Sequence, residues 1–181
     1  GRGCSRRERR TVLSPLGRWR HAASIAFQVA LLGIIAYAFT LRTPQVTGRS
    51  MEPRIDSGEI VLIDTLAFAF GSPNTGEIVA FHHDATVPVL YVKRIVGVPG
   101  DRIAIVRGTV VRDGHRLDEP YVRFHDDRSF AAVVVPPGAY YVLGDNRADS
   151  DDSRVWGFVG RSQIVGRAVA GIWPLDHFGP L

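Results

Sequence analysis

Short runs of β-branched and aromatic residues, separated by turn formers, fill the chain from residue 43 onward and constrain its fold more than any other feature. We expect strands over residues 59–64, 77–81, 90–96, 102–106, 132–135, 139–143 and 164–172. Pro-Gly-Asp and Pro-Pro-Gly turns separate some of them, and Asp113-Gly114 marks a hairpin tip. This pattern predicts a mostly β fold with antiparallel sheets in a barrel-like domain, and residues 101–138 as a small inserted lobe.

An uncharged apolar run precedes this β region. Residues 22–41 carry no formal charge and lie between Arg20 and Arg42. Twenty helical residues span about 30 Å, which is the thickness of the hydrocarbon core of a bilayer. We therefore expect one transmembrane helix over 22–41. A cleaved secretory signal is the alternative, because Ala36-Tyr37-Ala38 offers a suitable cleavage site.

Positive charge is concentrated before the apolar run. The chain has a net charge of +4, from 22 basic and 18 acidic residues. The arginines of the N-terminal region are Arg2, Arg6, Arg7, Arg9, Arg10, Arg18 and Arg20. Such a cluster favours a cytoplasmic N-terminus over residues 1–21 and an extracytoplasmic domain over 42–181. Because the rest of the chain is slightly acidic, we expect no nucleic-acid partner.

The chain contains a single lysine, Lys93, so every other basic side chain is arginine. Arginine keeps its proton at any working pH, whereas lysine loses its proton when its surroundings lower the pKa. Strand alternation places Tyr91, Lys93 and Ile95 on one face, where the amine would be partly desolvated. The lone lysine therefore suggests a need for an amine at this position. An arginine-rich genome is the other explanation.

Two further segments carry residue types that hydrolases use. Gly48 and Pro53 bracket a sharp bend that presents Ser50, and a serine in a turn beside a lone lysine suggests a Ser-Lys hydrolase. The segment 144–157 is dense in charges and turn formers at the end of a predicted strand. An ordinary surface turn and a solvated loop are the alternatives. A calcium loop does not fit the second segment, since arginine occupies its third position and the glycine and glutamate spacing fails.

Together these segments resemble the bacterial type I signal peptidases, a family of membrane-bound Ser-Lys enzymes. Four motifs occur in the order of the family: Ser-Met-x-Pro at 50–53, Gly-Glu-Ile-Val-Ala-Phe at 76–81, Lys-Arg-x-x-Gly-x-Pro-Gly-Asp at 93–101 and Gly-Asp-Asn-Arg-x-x-Ser-x-Asp-Ser-Arg at 144–154. The resemblance implies a serine endopeptidase that removes signal peptides from secreted preproteins after small-x-small sites. It also implies a bacterial cytoplasmic membrane protein with a single pass.

The resemblance assigns the catalytic residues. Ser50 is implied as the nucleophile and Lys93 as the general base, which requires a Lys93 pKa clearly below that of a free lysine. Ser150 is implied to hydrogen-bond the Lys93 amine and orient it. Asp152 and Arg154 are implied to form a supporting ion pair.

The resemblance also covers the surroundings of these residues. Asp145 is implied to hold its loop near the active site through Arg94. The backbone N–H of Ser50 is implied to donate to the oxyanion. Gly48 stands where some members carry a serine hydroxyl as a second donor, and Arg54 stands where threonine is usual.

Substrate recognition is expected in two shallow apolar pockets that accept small side chains. By resemblance the first is lined by Met51, Ile55, Tyr91 and Val92, and the second by Val46, Val61 and Ala80. The preprotein would dock as an added strand, so that backbone hydrogen bonds give affinity and pockets give specificity. Membrane lipids and the protein-export translocon are the other expected partners.

No metal or cofactor is expected. Cys4 is the only cysteine, so neither an intrachain disulfide nor a CxxC-type metal site can form. His82 and His83 adjoin a strand end, but neighbouring residues of a strand point to opposite faces and do not easily ligate one ion. The rival functions are a self-cleaving repressor protease with a Ser-Lys pair and a non-catalytic β domain that binds exported chains.

Overall fold

A computed structural model describes residues 15–84 and 89–181 of the chain. The chain divides into two compact units, one up to Phe39 and the other from Thr40 to Leu181. Most of the predicted N-terminal basic region, including Cys4, lies outside the described residues. The same holds for residues 85–88.

The first unit contains helix α1, Pro15–Ala38, of 24 residues. Its exposed large apolar side chains are Trp19, Ile25, Phe27, Val29, Leu31, Leu32, Ile34, Ile35 and Tyr37. Among the residues that can be described, no helix has both the length and the apolar character needed to cross a membrane. The predicted helix end at residue 41 was wrong, since α1 ends at Ala38 and Leu41 lies in a strand.

The regular elements of the second unit are mostly strands. In chain order they are β1 (Leu41–Arg42), β2 (Ile60–Asp64), β3 (Ile78–Phe81), β4 (Tyr91–Gly97), β5 (Arg102–Val106), β6 (Thr109–Arg112), β7 (His115–Arg116), β8 (Phe130–Val134), β9 (Ala139–Leu143), β10 (Val159–Gly160), β11 (Ile164–Trp173) and β12 (Gly179–Pro180). A short helix α2, Ser153–Trp156, and two 3₁₀ turns, Arg161–Gln163 and Leu175–His177, complete the unit.

A large antiparallel sheet positions the site. Its order is β1-β2-β11-β3-β4-β9-β10, with β12 paired to β11. Strand β4 pairs with β3 so that Lys93 lies opposite Val79, and it pairs with β9 through Arg94 and Leu143. The mostly β, antiparallel prediction is confirmed. The barrel-like closure was wrong, because the described strands form an open path in which β1 and β10 are not paired with each other.

A second sheet lies between β4 and β9 in the chain. It is antiparallel, with the order β7-β6-β5-β8, and spans residues 102–134. The β6–β7 hairpin turns at Asp113-Gly114, where both residues have positive φ (53° and 81°). This is the backbone of a type I′ turn, which Asp-Gly favours because glycine adopts positive φ without strain. The predicted hairpin tip is therefore confirmed.

The core of the second unit holds three clusters of buried apolar side chains. One consists of Met51, Ile55, Val61, Ile63, Ile78, Ala80, Val92 and Ala168. It joins the turn after Ser50 to strands β2, β3, β4 and β11, so burying these side chains fixes that turn against the sheet. The other two clusters include Phe81 with Tyr140 and Ile103 with Leu143.

Candidate active site

Ser50 and Lys93 meet although 43 residues separate them. Ser50 lies in a turn after Gly48, whose φ of 101° suits glycine. Lys93 projects from the middle of β4 and is only 3% exposed. The Lys93 Nζ atom lies 2.5 Å from Ser50 Oγ, within hydrogen-bond reach. This is the reach that a nucleophile and its base require.

The surroundings of Lys93 change its acidity. Burial removes water from the ammonium form and lowers the Lys93 pKa from 10.5 to about 8, although Asp152 and Asp151 act in the opposite direction. At pH 7 about one amine in eleven is then neutral, against about one in 3,000 without the shift. Lys93 is therefore able to accept a proton near neutral pH.

Asp152 is the hydrogen-bonding centre of the neighbouring loop. It is completely buried and accepts from Ser150 Oγ at 2.8 Å and from the Gly144 N–H at 3.1 Å. Arg154 donates to both of its carboxylate oxygens at 2.8 Å, so the two residues form an ion pair. Ser150 donates to Asp152, and no hydrogen bond between Ser150 and Lys93 is present among the described residues.

Arg94 and Asp145 form a second buried pair on the other face of β4. Arg94 donates through Nε and Nη2 to the two oxygens of Asp145, at 2.8 and 2.6 Å. It also donates to the Gly76 carbonyl at 2.8 Å, and its guanidinium lies 4.0 Å from the centre of the Tyr121 ring. Bidentate pairing of this kind fixes geometry as well as charge. The pair ties the 144–150 loop to the strand that carries Lys93.

Two residues of this loop position the Ser50 turn, and sequence reasoning gave neither a role. Asn146 donates its backbone N–H to the Ser50 carbonyl at 3.0 Å and its side-chain amide to the Arg49 carbonyl at 3.1 Å. A Cβ built on Gly144 would collide with the Ser50 carbonyl oxygen and the Ser150 hydroxyl. Glycine is thus required for the close approach. The available sequence signal was only that both residues belong to the Gly-Asp-Asn-Arg motif, since their burial and contacts are visible in the structure alone.

The backbone donors near Ser50 differ in their availability. The Ser50 N–H makes no hydrogen bond with any residue in 15–84 or 89–181. The Gly48 N–H donates to Ser57 Oγ at 3.2 Å. A donor that is free and adjacent to the nucleophile is what an oxyanion needs.

The chain is similar to known proteins over most of its length. The family model described as signal peptidase, peptidase S26, matches residues 18–173. A probable signal peptidase I-2 of Synechocystis sp. is 33% identical over 177 residues, covering 92% of this chain and 79% of the relative. A signal peptidase I of Bacillus caldolyticus is 37% identical over 147 residues, covering 74% and 80%. A signal peptidase I structure from Enterococcus faecalis is 31% identical and covers 53% of this chain and 96% of that one, with a TM-score of 0.46.

The chain belongs to the peptidase S26 family of signal peptidases. It is a serine endopeptidase that acts on secretory preproteins and removes their signal peptides. Membership in this family favours a peptidase over the alternative of a non-catalytic β domain that binds exported chains.

A cleft of about 300 Å³ opens beside Ser50 and Lys93 of this signal peptidase. It is lined by Pro44, Gln45, Val46, Thr47, Ser50, Met51, Val89, Leu90, Tyr91, Val92 and Lys93. Four of the seven predicted pocket residues are in this lining. The structure does not bring the other three, Ile55, Val61 and Ala80, to the cleft surface, because they are fully buried in the core below it.

Neither His82 nor His83 makes a hydrogen bond with Ser50 or Lys93 in the described part of the chain. A ring nitrogen of His82 is 2.9 Å from the Val89 carbonyl, and His83 packs on Trp156 with ring centres 4.5 Å apart. Elsewhere, the one described group with three metal-type ligands in reach is Asp56, Glu59 and His177, within 4.8 Å of one another. Sequence reasoning missed this group. A 2.5 Å hydrogen bond between His177 Nδ1 and Glu59 Oε1 accounts for it and raises the His177 pKa.

Proposed function

We propose that Ser50 is the nucleophile and Lys93 the general base of this signal peptidase. The observation that carries the proposal is the 2.5 Å contact between Lys93 Nζ and Ser50 Oγ, made by an amine that is 3% exposed. A serine hydroxyl is a poor nucleophile until a base removes its proton. Neutral Lys93 is the only titratable side chain in hydrogen-bond contact with this hydroxyl among the described residues.

The reaction has two steps. Lys93 takes the proton of Ser50 Oγ as that oxygen attacks the carbonyl carbon of the scissile peptide bond. The same proton then passes to the leaving amine, and the signal peptide remains as an ester on Ser50. Lys93 next takes a proton from water, the hydroxide attacks the ester, and Ser50 regains its proton. The Ser50 N–H donates to the oxyanion in both steps.

The buried polar groups around the pair act as positioning residues. Ser150, Asp152 and Arg154 hold one another in the loop near Lys93, with Ser150 and Arg154 both donating to Asp152. Asp145 and Arg94 anchor the same loop to β4. Residues held by several hydrogen bonds keep the pair within the narrow geometry that catalysis needs.

The cleft is the place for the residues before the cut. Its apolar members Val46, Met51, Tyr91 and Val92 suit small side chains such as alanine. The edge of β4 before Arg94 is not paired with β9, so an extended preprotein segment can add to the sheet there. Backbone hydrogen bonds would supply affinity, and the size of the cleft would reject large side chains.

We propose that the apolar run of residues 22–41, which continues past the end of α1, attaches the enzyme to the bacterial cytoplasmic membrane in a single pass, close to the export translocon; α1 by itself does not have the length and apolar character to span a bilayer. Its many exposed apolar side chains, and the arginines that precede them in the sequence, support this proposal. The domain from residue 42 onward would then act outside the cytoplasm. Protease added to intact cells should degrade a tag at the C-terminus and spare one at the N-terminus. The reverse pattern would contradict this orientation.

Cleavage of a purified preprotein tests the catalytic assignment. The full chain in neutral detergent should cleave after a small-x-small site, and both Ser50→Ala and Lys93→Met should abolish cleavage while retaining a cooperative unfolding transition. His177→Ala is a matched control outside the site. Undiminished cleavage by a folded Lys93→Met variant would exclude Lys93 as the base.

A further inference from the structure

The segment 117–129, which connects β7 to β8, contacts the 144–154 loop at several points, and the catalytic proposal gives it no role. The Arg147 N–H donates to the Phe124 carbonyl at 2.9 Å. Two arginines of the loop, Arg147 and Arg154, also reach carboxylates of the segment. The loop is therefore held by a connection of the second sheet as well as by its own residues.

The first of these contacts is a buried ion pair between Arg147 and Glu119. Arg147 donates through its two Nη atoms to the two oxygens of Glu119, at 3.1 and 2.5 Å. The two side chains are only 3% and 10% exposed. Arg147 also donates through Nε to the Gly144 carbonyl at 2.9 Å, and Glu119 accepts from the Tyr121 hydroxyl at 3.0 Å. A bidentate pair fixes geometry as well as charge, so this one sets the position of the segment against the loop.

The second contact places one guanidinium between two carboxylates. Arg154 donates through Nη1 to Asp126 Oδ2 at 2.7 Å, and through Nε and Nη2 to Asp152. Its remaining hydrogen bonds go to the Arg147 and Ser150 carbonyls, at 2.8 and 3.2 Å. The Arg154 side chain is 2% exposed and that of Asp126 is 9% exposed. The charge of Arg154 is therefore shared between Asp152 of the loop and Asp126 of the segment.

The charge of Arg154 reaches Lys93. Burial is the main cause of the lowered Lys93 pKa, and nearby charges modify it. The charges that act on it are Asp152, Asp151 and Asp145, which raise the pKa, and Arg154, which lowers it. Any group that compensates Arg154 therefore weakens one of the influences that favour the neutral amine.

Asp126 is such a group, and it is ionised where Lys93 titrates. Partial burial acts to raise the pKa of Asp126, but its contacts with Arg128 and the charge of Arg154 hold that pKa below the usual value. Removing the Asp126 charge would leave more of the Arg154 charge uncompensated. The neutral form of the Lys93 amine would then be favoured further.

We propose that Asp126 is a positioning residue of this signal peptidase, which acts through Arg154 on the geometry and the charge of the loop near Lys93. The inference rests on the proposed role of Lys93 as the base. Glu119 supports it by holding the segment on Arg147. Neither carboxylate lines the cleft, so both act on the chemical step rather than on substrate binding.

The single lysine gives a direct readout of the charge effect. Selective isotope labelling of lysine in the full-length enzyme, in neutral detergent, reports the titration midpoint of the Lys93 amine. Asp126→Asn removes the charge but keeps an oxygen that accepts from Arg154. The midpoint should move to lower pH by roughly half a unit, less than the ~1 to 3 units that a charge in direct contact produces. Asp127→Asn makes the same change at the next residue, which is exposed, and should leave the midpoint at the wild-type value.

Cleavage kinetics report the effect on geometry. Asp126→Ala removes the acceptor as well as the charge, so Arg154 loses one of the contacts that fix it. The measurement is made well above the Lys93 midpoint, where the amine is neutral in both enzymes. There kcat for preprotein cleavage should fall by about three- to tenfold, less than the roughly 100-fold cost of a 1 Å misplacement. KM should stay unchanged, because the cleft is untouched.

Several results would overturn the proposal. One is a midpoint in Asp126→Asn equal to that of wild type, and another is an equal shift in Asp127→Asn. Loss of the cooperative unfolding transition in both Asp126 variants would do so as well, because Asp126 would then hold the fold rather than the loop. A wild-type midpoint near the ordinary lysine value of about 10.4 would instead refute Lys93 as the base, so the two failures are distinguishable.

Discussion

Gly144→Ala should disable the enzyme without unfolding it. Gly144 has an ordinary backbone conformation, so alanine adds no backbone strain and the effect comes from space alone. The new Cβ would collide with the Ser50 carbonyl oxygen and the Ser150 hydroxyl, and it would lie 2.7 Å from Ser150 Cβ. Both neighbours are held by hydrogen bonds, from Asn146 to Ser50 and from Ser150 to Asp152. Neither therefore moves without breaking a contact that positions the site.

The expected magnitude follows from the displacement. An ordinary contact begins at 3.4 Å, so Ser150 Cβ must withdraw by about 0.7 Å and the Ser50 carbonyl by more. A misplacement of about 1 Å at a reacting group costs about 100-fold in rate. Overpacking of this kind costs about 1 to 3 kcal/mol of folding free energy, which the domain tolerates.

The assay is kcat/KM for preprotein cleavage, with the free energy of unfolding from denaturant titration measured in parallel. Gly71→Ala is the matched control, because nothing lies within 4 Å of the Cβ it would add and its φ is not positive. Gly144→Ala should lose about 100-fold in kcat/KM while the control keeps wild-type activity. A Gly144→Ala enzyme within about threefold of wild type would refute the argument that this close approach positions Ser50.

Three further predictions concern buried groups. Lys93→Met should be more stable than wild type by about 3 kcal/mol at pH 7, because the folded state lowers the Lys93 pKa from 10.5 to about 8. Between these two pH values the unfolded chain holds a proton on Lys93 that the folded chain has released, so the stability of the wild type rises with pH. The stability difference between Lys93→Met and wild type should therefore close by about pH 10.5. A difference that does not change with pH in denaturant titrations would count against the lowered pKa of Lys93. Asp145→Asn should cost about 3 to 5 kcal/mol of folding free energy by leaving Arg94 buried without its counter-charge. Glu52→Gln, which removes the partner of the exposed Arg49, should cost less than about 1 kcal/mol. Equal costs of the two variants in denaturant titrations would contradict the burial argument. Ile55→Ala should cost about 2 to 5 kcal/mol of folding free energy but leave unchanged which substrate side chains the enzyme accepts before the scissile bond. Val46→Ala should alter that preference. A changed preference in Ile55→Ala would show that Ile55 lines the pocket after all.

The strands were predictable because each is a short β-branched run between turn formers, a local pattern that tertiary contacts did not override. Whether the sheet closes into a barrel was not predictable, since closure depends on which edge strands pair rather than on any single strand. The end of α1 was misplaced for a similar reason. Leu41 continues an apolar run, and composition alone does not separate the last helical turn from a strand that pairs with Ile63 and Asp64.

Proximity of Ser50 and Lys93 was expected from motif order, and their distance and burial required the structure. Asn146 and Gly144 were missed because they act through backbone hydrogen bonds and through the absence of a side chain, which residue type does not reveal. Ile55, Val61 and Ala80 were assigned to pockets by resemblance to the family, and residue type does not distinguish an apolar residue at a cleft surface from one buried beneath it. Only the packing distinguishes them.

The most direct test of the account uses the single lysine of the chain. Selective isotope labelling of lysine gives one side-chain amine signal, and its titration in the free, full-length enzyme reports the Lys93 pKa directly. The account predicts a midpoint near 8, with Ser50→Ala as a control that keeps the amine buried. A midpoint near the ordinary lysine value of about 10.4 would contradict the role of Lys93 as the base that activates Ser50.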